Sequence, residues 1–198
     1  MWWMGWITLL SIKRLLRSWQ RRIRLLGGNL LYGKTGKEMI DFYNRYAKNY
    51  KYSQNGEEGI IDEILDRTGE GNSLCMEFGA NDGSWCSNTG RLLDNGWSGV
   101  MIESDKRLFD LCKQRRESPL VSCYHSAVGP PNINQFINGR EFDLISMDTD
   151  GGNDYRVFSS MISKPRVVII EINSGFRPFE FHISEDQGCS YKPMVELG

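Results

Sequence analysis

Apolar residues along this chain fall into two alternating patterns, short continuous runs and helically spaced sets. The first run is Leu74–Phe78, and four more follow at Ser98–Ile102, Leu120–His125, Phe142–Met147 and Arg166–Ile172. Short runs of this kind read as strands, and the nearly all-apolar last one as a strand buried on both faces of a sheet. Between them the spacing changes. Ile60, Ile61, Ile64 and Leu65 share one helical face, with Asn55 and Glu58 as an N-cap and capping acid before it and Gly69 closing it. Residues 86–94 read as a helix ending at Asn95-Gly96. Asp105–Arg116 reads as a helix with Leu108, Phe109, Leu111 and Cys112 inward, Ile133–Ile137 as a short helix, and Asn153–Ile162 as another. Strands separated by helices pair in parallel through right-handed crossovers. The predicted class is therefore α/β: a Rossmann-like, doubly wound, mostly parallel sheet of five strands with helices on both faces.

A third pattern occupies the amino-terminal end. Trp2, Leu9, Leu16 and Ile23 recur every seven residues with Ile12, Trp19 and Leu26 between them, forming one stripe on a helix that Gly27-Gly28 ends. Lys13, Arg14, Arg17, Arg21, Arg22 and Arg24 fall mostly on another side. The chain thus divides into an amphipathic basic helix over 1–28, a connecting segment over 29–50 and a domain over 51–198. The uncharged stretch 1–12 is short of the roughly 20 residues needed to cross a bilayer. Its basic residues follow the apolar stretch, and it lacks a small-residue cleavage site, unlike a secretory signal. An aromatic face beside an arginine face suits an anionic membrane surface, contacted through residues 1–26. Docking on the chain's own domain or on a second subunit is the competing reading. The expected location is cytoplasmic, peripheral at a membrane.

Charge sharpens that division. The net charge of −1 conceals about +8 in residues 1–50 and about −9 in residues 51–198. A mildly acidic domain offers no basic groove, which argues against a nucleic-acid partner. The five cysteines are odd in number and none has C-x-x-C spacing. That argues against zinc and against a disulfide framework, and favours reduced, buried thiols.

The candidate chemistry begins in Leu74–Trp85. An apolar run carries an acid, Glu77, and leads into a turn containing Gly79, Asn81, Asp82 and Gly83, the sequence form of a strand, a tight loop and a helix start. Glu103 ends the next run, where an acid accepts hydrogen bonds from ribose hydroxyls. The turn is G-x-x-x-G and lacks the G-x-G-x-x-G that makes room for a pyrophosphate, and Asp82 would repel one. A ligand with an adenosine, an ammonium group and no phosphate suits the site better, and S-adenosylmethionine meets that description. Glu77 would face its ammonium group, Glu103 its ribose, and Ser126-Ala127-Val128 its adenine edge, leaving Gly79, Asn81, Gly83 and Ala127 as further binding positions.

Acids gather at the predicted strand ends: Glu77, Glu103, Asp148, Asp150 and Glu171, with Asn173 beside them. Such a cluster calls for compensating cations or hydrogen bonds. One solution is a magnesium, manganese or calcium ion held by Asp148, Glu171 and Asn173, which would lower the pKa of an acceptor hydroxyl. The other is a metal-free set of hydrogen-bonded acids. Asp148 and Asp150 are the candidate catalytic residues, Asp150 as a general base. Asp150-Gly151 also suits a plain turn, with Asn153 capping the next helix.

Tyr52-Ser-Gln-Asn-Gly-Glu-Glu58, Glu77-Phe-Gly-Ala-Asn-Asp-Gly83, Gly96-Trp-Ser-Gly99, Glu103, Asp143-Leu-Ile-Ser-Met-Asp-Thr-Asp150, Asn153-Asp-Tyr155 and Pro165-Arg-Val-Val-Ile-Ile-Glu171 occur in one order. Together they resemble a class I S-adenosylmethionine-dependent methyltransferase, close to the FkbM-like group, over residues 50–198. The resemblance implies O-methylation of a hydroxyl on a sugar or natural-product-like acceptor. The metal set resembles that of catechol-type O-methyltransferases. Class I enzymes finish with a helix and an antiparallel strand pair, whereas Gly188–Gly198 has room only for that helix's beginning. The closing hairpin is expected to be missing, and a cofactor-binding assembly or tethering protein without turnover is the alternative function.

Overall fold

The computed structural model describes residues 41–48, 50–69, 71–149, 153–173, 175–177, 180–184 and 187–197. Segment 1–28, with its membrane and docking readings, lies outside these residues, as do positions 29–40 of the connecting segment.

After a short helical stretch over 41–46, the elements run α1 (Glu57–Thr68), β1 (Leu74–Phe78), α2 (Gly90–Asp94), β2 (Ser98–Glu103), α3 (Lys106–Arg116), β3 (Val121–His125), α4 (Ile133–Ile137), β4 (Leu144–Met147), α5 (Asp154–Ser160), β5 (Val167–Ile170), β6 (Ile183–Ser184), β7 (Gly188–Cys189) and α6 (Tyr191–Leu197). Strands β1 to β5 form one parallel sheet in the order β3-β2-β1-β4-β5. That order is compatible with a Rossmann-like fold. The chain winds outward from β1 to β3, then returns to the other side of β1. The switch point lies between β1 and β4, where open α/β sheets hold their ligands.

Alternation along the strands divides the core. Met76, Phe78, Val100, Ile102, Ile145, Met147, Val168 and Ile170 pack with Ile133 and Ile137 of α4, Val157 and Phe158 of α5, and Met194 of α6. Cys75, Leu144, Val167 and Ile169 face the other way, against Ile60, Ile61, Ile64 and Leu65 of α1 and against Leu92 and Trp97. Met101, Val121 and Cys123 meet Cys112 of α3 in a third cluster. Each such side chain contributes about 1.5–3 kcal/mol when fully buried. Glu77 shares the Cys75 face, because side chains repeat every two residues.

Several predicted details change. Leu111 is exposed, and the buried residues of α3 are Cys112 and Arg116. Residues 86–89 are loop, so α2 starts only at Gly90. The cap of α1 is Gly56, in the left-handed conformation, with no side-chain cap bond. Glu57 takes the Asn55 N–H at 2.7 Å. Glu58 Oε2 instead accepts the N–H groups of Tyr50, Lys51, Tyr52 and Ser53 at 2.9–3.2 Å. Four donors converging on one buried carboxylate outweigh a single capping bond. Asn153 occupies the cap position of α5 without a side-chain bond.

Beyond β5 the described chain adds no strand to the main sheet and makes only a small hairpin apart from it. Strands β6 and β7 pair antiparallel as a separate two-stranded sheet. Asn173 N–H donates to the Cys189 carbonyl at 2.9 Å, tying the hairpin to the end of β5, and α6 follows. Among the described residues β5 remains an edge of the main sheet.

Candidate functional site

A cavity of about 450 Å³ opens at the carboxyl ends of β1, β2 and β4. It is bounded by the loops after β1, β2, β3 and β4 and by Gln54, which arrives from the segment before α1. Among the described residues its carboxylates are Glu77, Glu103, Asp105 and Asp148, and no lysine, arginine or histidine lines it.

The loop after β1 is built on internal bonds. Gly79 has φ 74°, and a Cβ there would overlap the Asp148 carbonyl oxygen, so the ends of β1 and β4 approach closely only because this residue is glycine. Asn81 has φ 51°, and its side-chain oxygen accepts the Asp82 N–H at 2.7 Å. Its own N–H donates to Glu103 Oε2 at 2.7 Å, while Glu103 Oε1 accepts from Asp105 N–H at 2.8 Å. Glu103 is 7% exposed, and each oxygen retains acceptor capacity toward the cavity.

Glu77 has a different setting from the predicted one. It lines the cavity at 3% exposure, and its carboxylate receives the Ser87 hydroxyl at 2.5 Å, the Asn88 N–H at 2.7 Å and the Thr89 hydroxyl at 2.7 Å. Burial pushes its pKa up against the pull of those donors. Its first task is to fold residues 87–89 back over the end of β1.

Asp82 and Gly83 lie outside the cavity. Asp82 Oδ1 accepts the N–H groups of Ser84 and Trp85 at 2.9 and 2.8 Å, and Oδ2 meets Arg115 at 2.7 Å. Burial pushes this carboxyl up, but Arg115 and the two N–H groups outweigh it and hold the pKa below the usual range. Asp82 therefore does not confront a ligand, and the charge that disfavours phosphate comes from the four lining acids. Gly83, predicted as a binding position, packs on α3. A Cβ there would press on Arg116, whose Nε donates to the Gly83 carbonyl at 2.6 Å. Positive φ fits Gly83 to that contact and turns it away from the ligand side.

Asp148 lines the cavity, its N–H bonded to the Phe78 carbonyl at 3.1 Å. Asp150 lies outside the described residues. The predicted metal ligands do not share the cavity wall. Asn173 Oδ1 accepts from Gly175 N–H at 2.8 Å and Nδ2 donates to the Gln187 carbonyl at 2.7 Å, so its amide serves the hairpin junction. Neither Asn173 nor Glu171 lines the cavity with Asp148. Among the described residues no group of three or more His, Cys, Asp or Glu side chains is placed to hold a metal ion. The described residues give the predicted ion no support, and no chemistry is assigned to one.

Ala127 lines the cavity between Ser126 and Val128. Its carbonyl accepts from Asn132 Nδ2 at 2.8 Å, which fixes the turn after β3. Neither histidine lines the cavity. His125 Nε2 lies 3.0 Å from the Ser104 carbonyl, and His182 packs on Phe176. Cys86 is at the wall, with φ 61° and Gln54 Nε2 2.8 Å from its sulfur. Burial and the charges of Asp148, Glu57 and Asp82 push its thiol up, against the pull of the Gln54 hydrogen bond. Burial likewise raises the Cys189 thiol to about 12.

Sequence reasoning missed Gln54, Trp85, Cys86, Asn88, Asp105, Leu108 and Thr149 as lining residues. Asp105 and Thr149 directly follow strand ends and carried a positional signal. Gln54 carried none beyond its place in the Tyr52–Glu58 motif, because its partner at the wall, Cys86, lies 32 residues on.

No protein-family model matches the chain, and no curated protein is similar enough to match it. No described helix is long and apolar enough to cross a membrane.

Proposed function

We infer that the chain is an S-adenosylmethionine-dependent methyltransferase acting on a hydroxyl oxygen. The observation that carries this reading is the cavity at the β1/β4 switch point, lined among the described residues by four carboxylates and no cationic side chain. A ligand bearing sulfonium and ammonium charges and a ribose diol suits such a wall, whereas a dinucleotide pyrophosphate is repelled by it. Glu103 would hold the ribose hydroxyls, its orientation fixed by the Asn81 and Asp105 N–H groups. Ala127 would border the adenine, and Gly79 and Asn81 the methionine part. The bound donor supplies an electrophilic methyl carbon, and Asp148 is the lining carboxylate assigned to take the acceptor's hydroxyl proton. The sheet order supports a Rossmann-like placement of these groups.

Calorimetry of the full chain with S-adenosylmethionine, S-adenosylhomocysteine and NAD tests the reading. Binding of the first two without the third is expected. Binding of NAD alone overturns it. The open edge at β5 favours a second reading, a donor-binding protein without turnover that serves assembly or tethering. Donor binding without methyl release in the presence of a hydroxyl acceptor would select it.

A further inference from the structure

Among the large apolar side chains, Trp85 stands out. It is 69% exposed, yet it lines the cavity. Its loop is fixed on both sides. Upstream, its own N–H and that of Ser84 are bonded to Asp82, which Arg115 anchors. Downstream, Cys86 meets Gln54, and Ser87, Asn88 and Thr89 are bonded to Glu77. An indole left in solvent on a loop pinned at both ends does not owe its exposure to slack. Leaving so large an apolar surface in water forgoes burial energy, and at a cavity wall a ligand is the natural cover.

The cavity has two unlike sides. Glu103, Ser104, Asp105, Leu108 and Ala127 follow β2 and β3 and belong to the adenosine side of the methyl-donor reading. Gln54, Trp85, Cys86, Asn88, Asp148 and Thr149 make the other side. We propose that Trp85 is the acceptor-positioning residue, its indole face seating the C–H face of a pyranose ring whose hydroxyl edge meets Gln54, Asn88 and Thr149. One aromatic plane amid amides, hydroxyls and carboxylates matches a polyol ring, which has an apolar face and a polar rim. A flat hydrocarbon acceptor would need apolar cover on both faces. This inference rests on the methyl-donor reading and adds the seat of its second substrate.

The test uses the full chain loaded with S-adenosylhomocysteine. Saturation-transfer NMR is recorded with the methyl α-pyranosides of glucose, mannose, galactose and rhamnose, for wild type, Trp85→Ala and Trp85→Phe. The expected result is transfer to the ring C–H protons of at least one sugar in wild type and in Trp85→Phe. Binding of that sugar should weaken about tenfold in Trp85→Ala. Affinity for S-adenosylhomocysteine, read by calorimetry, should agree within about twofold across the three proteins. Undiminished transfer in Trp85→Ala, or no transfer from any loaded wild-type sample, overturns the seat while leaving the donor reading standing. So does a tenfold loss of S-adenosylhomocysteine affinity in Trp85→Ala, which would move the indole to the donor side. Failure of wild type to bind S-adenosylhomocysteine removes the donor reading and the seat with it.

Discussion

The carboxylate of Glu103, at the end of β2, accepts the backbone N–H of Asn81 at 2.7 Å, so one acid both braces the loop after β1 and faces the cavity. Its other oxygen takes the Asp105 N–H. Both carboxylate oxygens thus meet N–H donors, and an amide at this position must turn an NH₂ toward one of them. Glu103→Gln is therefore not a conservative change. We predict that Glu103→Ala and Glu103→Gln each weaken S-adenosylhomocysteine binding by about 1–3 kcal/mol in calorimetry. Unchanged affinity in both would remove Glu103 from the ribose role.

Glu77 gives the opposite expectation. Two of its three donors are hydroxyls, from Ser87 and Thr89, which also accept. A glutamine can keep its oxygen on the Asn88 N–H and donate to those hydroxyls. Glu77→Gln should cost no more than about 1 kcal/mol in urea unfolding, and Glu77→Ala about 2–4 kcal/mol, because three buried donors lose their acceptor. Equal losses in the two variants would contradict this account of the loop.

Acid should destabilise the domain in a window set by three carboxylates. Burial pushes Glu58 up, but the four backbone N–H groups around it outweigh that and hold its pKa below the ordinary 4.5. Asp94 is likewise raised by burial and lowered more by Tyr52 and Arg116, and Asp82 is lowered by Arg115, both from an ordinary 3.8. The unfolded chain then takes up these protons first as pH falls. The three groups contribute stability above their unfolded values and lose it as pH drops through the folded ones. Glu77, shifted upward, acts in the other sense. Chemical denaturation as a function of pH should show stability falling below about pH 4.5, with a shallower acid slope in Glu58→Gln. An unaltered slope in that variant would exclude Glu58 from the acid response.

Two glycines with similar backbone conformations should respond differently to alanine. Gly79 and Gly96 have φ 74° and 90°, but a Cβ at Gly79 overlaps the Asp148 carbonyl, whereas one at Gly96 meets nothing within 4 Å. Gly96→Ala should cost about 1–2 kcal/mol, the strain of the left-handed region alone. Gly79→Ala should cost more than about 3 kcal/mol or abolish folding, because two strand ends must separate. Thermal melts of the pair read the difference directly, and equal costs would show that the β1/β4 approach is not the constraint.

Much of the fold was legible because strands such as β4 and β5 are buried on both faces. A strand such as Val167–Ile170 must be apolar throughout, so its run is visible in the sequence, and the helix-length gaps between runs force parallel pairing. The hairpin of β6 and β7 escaped because two-residue strands leave no periodicity to read. Glu77, Gly79, Asn81, Glu103, Ala127 and Asp148 line one cavity because all lie at or just beyond strand ends, positions the linear order displays. It could not separate Asn81 from Asp82 and Gly83, its neighbours, which turn toward α3.

The sequence by itself determined which residues end the strands and that these ends carry acids, because apolar length and spacing are properties of the chain alone. Only the tertiary structure decided which way each loop residue turns. Asp82 is drawn outward by Arg115, Glu77 is covered by residues 87–89, and Gln54 meets Cys86 at the cavity wall. Those orientations follow from partners distant in sequence, whose electrostatic and hydrogen-bonding preferences act only once the sheet has brought them within reach.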